Sequence, residues 1–101
     1  MIFMGTQTIP YNKTEEWGKV FLKVTAAPFP SCIKKWQTFT CHDGEHGLKG
    51  YNLIFTEKGV DEAVVEIGKV ISPFWEIEGY GWKLEPLLGI SDSFKVLEKG
   101  R

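Results

Sequence analysis

MIFMGTQTI (residues 1–9) and KGYNLIFT (residues 49–56) are the two stretches whose reading decides the fold. Both are strand-like. Each carries apolar or aromatic side chains at odd and at even positions, so on both faces of a pleated strand. A strand in a small antiparallel sheet needs only one apolar face. The second face must also meet something: another subunit, a ligand or a nucleic acid. That choice is the functional question.

The neighbouring segments supply the rest of the architecture. Pro10 ends the first strand. In YNKTEEWGKVFLKV, Trp17, Val20, Phe21 and Val24 fall at i, i+3, i+4 and i+7, one face of a helix. Asn12 followed by Glu15 has the spacing of a helix cap, and Glu15 and Glu16 suit a first turn. AAPFPS (residues 26–31) holds two prolines and stops the helix. Residues 32–42 read as a second strand, Asp43-Gly44 as a hairpin turn, and residues 47–56 as the third strand. A two-residue turn would set Trp36 opposite Tyr51, Phe39 opposite Leu48 and Ile33 opposite Ile54. Val60, Val64, Ile67 and Ile71 mark a second helix, stopped by Pro73. Residues 81–88 read as a fourth strand, in which Pro86 implies an edge position or a bulge. Ser91-Asp92 caps a short terminal helix containing Phe94 and Leu97.

The order β-α-β-β-α-β closes most simply as a ferredoxin-like α+β plait. Such a plait is a four-stranded antiparallel sheet with both helices on one face. Residues 1–90 form this single domain, and residues 91–101 a C-terminal extension. Strand two becomes an edge, which Lys34-Lys35 would guard against edge pairing.

Composition narrows the functional classes. A chain of 101 residues is one domain, and 43% hydrophobic with 25% charged residues is ordinary for a folded soluble protein. Seven Phe, four Trp and three Tyr are generous for this size and favour an aromatic interface or pocket. The net charge is −1 with no basic stripe, which weighs against binding a phosphate backbone. The start lacks a basic n-region and turns polar after five residues, and no apolar run approaches the ~20 residues of a membrane span. A cytoplasmic protein is therefore expected. Cys32 and Cys41, nine residues apart on one strand, would lie about 30 Å apart and are expected as free thiols.

The sequence shows no nucleophile elbow, P-loop or dinucleotide fingerprint, and nothing in it points to a Ser–His–Asp triad. Cys41-His42-Asp43-Gly44-Glu45-His46 contains metal-ligand residue types, but not at the spacing of an established metal motif; no metal and no cofactor are expected. KGYNLIFT partly resembles the RNP1 motif of the RNA recognition motif: Lys49, Gly50 and Tyr51 match its first three places. Ile2-Phe3-Met4 resembles the start of RNP2. Leu53 and Thr56 replace two aromatics, and the one Arg lies at the C-terminus, so single-stranded RNA is the alternative, not the leading reading.

Nearly the whole chain resembles a small uncharacterised branch of the dimeric α+β barrel superfamily. The resemblance is carried by MIFMGTQTIPYN, the proline-containing AAPFPS linker and the strand from Gly50 to Thr56. Phe74-Trp75 and the closing WKLEPLL (residues 82–88) also take part. It implies a homodimer whose two sheets face each other with the helices outside. It carries over no catalytic residue.

Alternation then assigns the faces. With Ile2, Met4, Ile33, Phe39, Leu48, Ile54, Trp82 and Leu84 under the helices, the opposite face carries Phe3, Gln7, Trp36, Thr38, Tyr51, Leu53, Phe55, Lys83 and Glu85. Lys35, Gln37 and Asn52 fall awkwardly on the helix side, unless a bulge reverses the face. The expected function is binding of a small apolar or aromatic molecule between the facing sheets, as a sensor or a small cofactor-free enzyme. Gln7, Trp36, Thr38, Tyr51, Lys83 and Glu85 are the candidate ligand contacts, and a Lys83–Glu85 pair would supply any proton transfer.

Overall fold

Four strands and three α-helices are seen in the computed structural model, which describes residues 1–57 and 59–99. The strands are β1 (Ile2–Ile9), β2 (Ile33–His42), β3 (Leu48–Thr56) and β4 (Gly81–Leu87). The helices are α1 (Thr14–Ala26), α2 (Val60–Ile71) and α3 (Ile90–Lys99). The protein is α+β, with one antiparallel sheet in the order β2-β3-β1-β4. Chain-adjacent β1 and β2 are separated by β3, and β3 and β4 by β1, so α1 and α2 are the two crossovers.

Pro86 sits on β4, which pairs only with β1 and is an edge, where a residue without N–H is tolerated. β2 is the other edge. Lys34 there reaches Glu57 at 3.2 Å, beside a bulge between Ile33 and Lys35.

Helix packing follows the apolar stripes with local shifts. On α1, Trp17, Val20, Phe21 and Val24 pack against the cluster of Ile71, Phe74 and Ile77. The helix begins at Thr14, and Asn12 lies in a preceding 3₁₀ turn over Tyr11–Lys13, so Asn12 does not cap it. Thr14 Oγ1 instead donates back to the Tyr11 carbonyl at 3.1 Å. On α2 the buried residues are Ala63, Ile67 and Ile71; Val60 and Val64 are exposed, so the stripe is rotated from the one expected. Ala63 and Ile67 pack on Phe3 and Ile54 of the sheet.

The hairpin between β2 and β3 departs from the two-residue turn. Asp43 through Gly47 form a five-residue loop with a 3₁₀ turn over Gly44–His46. Asp43 N donates to the Gly47 carbonyl at 2.8 Å. Gly47 has φ 115°, a conformation open to glycine, and its missing Cβ leaves room for the Ile9 carbonyl. The loop length changes the parity of the register. Trp36 pairs with Ile54, Thr38 with Asn52 and Phe39 with Tyr51.

The observed registers of β2 and of β1 on β3 correct half of the face assignment. Phe3 and Gln7 of β1 and Trp36 and Thr38 of β2 lie under the helices, while Ile2, Met4 and Phe39 lie on the open side. The β3 and β4 assignments stand: Ile54, Trp82 and Leu84 under the helices, Tyr51, Leu53, Phe55, Lys83 and Glu85 opposite. The physical reason is the lysines. On β2, a two-residue turn would place Lys35 and Gln37 in the core beside Asn52; the longer loop turns them outward, and the bulge keeps Ile33 on the helix side.

Two glycines make the crowded face possible. Trp82 lies over Gly5, whose Cβ position its ring occupies, and the Gln7 side chain lies over Gly50. Gly5→Ala is therefore expected to lower stability by about 1–3 kcal/mol through overpacking. Gly18→Ala, in α1 with nothing near its Cβ position, should raise it by about 0.5–1 kcal/mol. Urea midpoints of the two variants check the pair; a neutral Gly5→Ala would contradict the placement of Trp82.

Candidate functional site

The sheet positions two distinct groups of polar side chains, one on each face. Under the helices, β1 and β3 each bury a carboxamide: Gln7 and Asn52 are both 2% exposed. A buried amide is tolerated only when hydrogen-bonded. Gln7 Oε1 accepts from Trp17 Nε1 at 3.1 Å and from the Tyr80 hydroxyl at 2.8 Å. Asn52 Oδ1 accepts from Trp36 Nε1 at 3.0 Å and from Thr38 Oγ1 at 2.7 Å.

Indole N–H groups only donate, so each tryptophan fixes which end of its amide faces it. The consequence for Asn52 is specific. Its oxygen is committed to Trp36 and Thr38, and its Nδ2 has no hydrogen-bond partner among the described residues. Asn52 lines a small cavity of about 10 Å³ that is otherwise walled by Gln7, Phe21, Val24, Thr25, Phe29, Trp36, Ile71 and Phe74.

Tyr80 is tied into the same layer. Its ring stacks on Phe74 with centroids 5.5 Å apart. Burial pushes its phenol well above the ordinary tyrosine range, because the phenolate would lose its water.

The six candidate residues thus divide between the faces. Gln7, Trp36 and Thr38 gather under the helices with Trp17, Asn52 and Tyr80. Tyr51, Lys83 and Glu85 lie on the open face. The open face is organised in rows across the strands. Phe39, Tyr51, Thr6 and Lys83 form one row; Gln37, Leu53, Met4 and Glu85 the next; Lys35, Phe55, Ile2 and Leu87 a third. Lys83 Nζ is 3.6 Å from Glu85 Oε1, with the side chains 70% and 50% exposed, a solvated pair of small energetic weight in a single protomer. Lys49 Nζ lies 5.7 Å from the Tyr51 ring centre and Lys35 Nζ 5.8 Å from that of Phe55.

The hairpin tip is a polar knot. The Tyr11 hydroxyl donates to the Gly44 carbonyl at 2.7 Å and lies 3.3 Å from His42 Nδ1. Among the described residues no three ligating side chains gather for a metal. Cys32 is buried and Cys41 exposed, both as free thiols. No helix among the described residues is long and apolar enough to cross a membrane.

Trp17, Asn52 and Tyr80 were not among the candidates read from sequence. Asn52 carried a signal: an amide inside an apolar run of a central strand. Trp17 falls on the apolar stripe of α1 and reads as core, and nothing in the sequence ties Tyr80 to Gln7 across 73 positions. Comparisons with protein families, with characterised proteins and with solved structures gave no match to this chain.

The Tyr80 shift has a signed consequence. Below the unfolded phenol's value of ~10, folding gains fully from the protonated, bonded Tyr80. Above it, the unfolded chain ionises while the folded chain resists, so stability falls as pH rises. Tyr80→Phe should cost about 1 kcal/mol at neutral pH through the lost bond to Gln7 and flatten the alkaline slope. Urea denaturation from about pH 8 to about pH 11 (roughly three units across ~10) measures both.

Proposed function

We propose that this chain is a ferredoxin-like plait that works in the cytoplasm as a homodimer of the dimeric α+β barrel kind. Its two open sheet faces meet around a small apolar or aromatic molecule. Support for the plait comes from the antiparallel order β2-β3-β1-β4, with helical crossovers spanning β3 and β1. The observation that carries the dimer is the open face itself. Ile2, Met4, Phe39, Tyr51, Leu53, Phe55 and Leu87 occupy adjacent strands there, and Phe39 is 56% exposed. A continuous apolar patch of this kind marks an interaction surface.

Within that reading, Tyr51, Lys83 and Glu85 remain the ligand-facing candidates. Gln7, Trp36 and Thr38 leave the set, because their side chains are on the helix side. A binding module needs only the aromatic face. Proton transfer would need the Lys83–Glu85 pair to be enclosed, which only the dimer could bring about. Binding is therefore favoured over catalysis.

A second reading keeps one specific observation. Tyr51 and Phe55, each attended by a lysine, form a small stacking platform for single-stranded RNA. Phe3, the RNP2-like ring, is fully buried and unavailable. Salt-sensitive binding of labelled mixed-sequence RNA, abolished by Tyr51→Ala, would place RNA above the small molecule.

Sedimentation at micromolar concentration tests the dimer directly. The wild type is expected as a dimer. Leu53→Asp should weaken association at least tenfold (roughly, since burying an unpaired carboxylate costs several kcal/mol) while circular dichroism stays native. Trp36→Asp should instead impair folding, because its indole holds Asn52. A wild-type monomer under these conditions would remove the proposal.

A further inference from the structure

We propose that each protomer holds a separate small-molecule site on the helix side of its sheet. There Asn52 Nδ2 donates a hydrogen bond to a neutral carbonyl oxygen, and the aromatic body of that molecule lies in the cleft beside α1. This site goes beyond the dimer reading and does not depend on it.

The donor is the first argument. Asn52 is 2% exposed, its oxygen is held by Trp36 and Thr38, and its Nδ2 is unpartnered among the described residues. An unsatisfied buried donor destabilises the fold, and an acceptor brought to it recovers that loss. The cavity it lines, about 10 Å³, has room for a single oxygen atom and not for a whole ligand.

The second argument is the space next door. A cleft of about 880 Å³ opens between the end of α1, the 27–30 linker and the end of α2, within the ~300–1,000 Å³ usual for ligand sites. Val20, Val70 and Pro73 wall it with apolar surface. Val24 and Phe29 line both the cleft and the small cavity. Phe29 stands between two prolines of the linker, its ring centre 5.3 Å from that of Trp36 and tilted by 57°. Displacing that one ring joins the two spaces, and an aromatic ligand replaces its contact with Trp36.

The chemistry of the acceptor follows from the walls. The small cavity has no charged residue in its lining. A carboxylate there would be desolvated without a cation, so a ketone or amide oxygen fits and a carboxylate does not.

The test uses the full ¹⁵N-labelled chain and three probes of similar shape: acetophenone, ethylbenzene and benzoate. Acetophenone is expected to shift the Asn52 side-chain amide and the Trp36 indole resonances saturably. It should bind about fivefold tighter than ethylbenzene, the worth of one hydrogen bond, with benzoate weakest. Asn52→Asp keeps an oxygen for Trp36 and Thr38 and replaces Nδ2 by an acceptor. It should erase the preference for acetophenone over ethylbenzene. If that variant does not fold, the probe series on the wild-type chain decides alone. Equal affinity for acetophenone and ethylbenzene, or no shift at Asn52, overturns the proposal. So does a long-lived internal water on Nδ2 that persists in saturating acetophenone, because a structural water then fills the place.

Discussion

Gly5 pairs with Asn52 and Gln7 with Gly50 across β1 and β3, so each buried amide stands beside a residue without a side chain. The helix-side layer depends on this large–small alternation. It lets the Gln7 side chain lie over Gly50 and the Trp82 ring over Gly5. The amides are then reached by indole donors from α1 and β2. With a one-residue slip of β1 on β3, one of the two carboxamides would turn to the other face and its tryptophan would lose its partner.

The same pairing explains how the helices are anchored. Trp17 links α1 to β1 through Gln7, and Tyr80 links the segment before β4 to the same oxygen. The 3₁₀ turn over Ser72–Glu76 inserts Phe74 between them: it stacks on Tyr80 and lies 6.2 Å from the Trp17 ring. The core is therefore partly a polar scaffold, in which hydrogen bonds set orientation and aromatic contacts supply buried area. Packing is concentrated on that side. The opposite face and α3, whose Ile90, Phe94 and Leu97 are exposed, are left for other contacts.

Functionally, the division of polar groups between two faces separates two tasks that the sequence had merged. Residues expected to contact a ligand between facing sheets, Gln7, Trp36 and Thr38, work within the protomer. Tyr51, Lys83 and Glu85 stay on the open side, which the proposed second copy would cover. The proposed dimer rests on this division: one face serves as the core and the other is left apolar.

By itself the sequence determined the elements and much of their order. Apolar spacing marked α1 from Trp17 to Val24, the proline-rich linker marked its end, and Pro86 limited β4 to an edge or a bulge, because these are local consequences of backbone geometry. Two apolar faces on β1 and β3 announced that one face would be left uncovered. Which face that is could not be read. Strands with apolar side chains on both faces give alternation two consistent solutions, and the Asp43-Gly44 signal suggested a turn of the wrong parity. The tertiary structure decided it through a five-residue loop that carries Lys35 and Gln37 of β2 out of the core, and through the pairing of β1 with β3. Asn52, read as a misfit, became a fixed partner of Trp36 and Thr38, because a buried amide is placed by donors that arrive from distant parts of the chain.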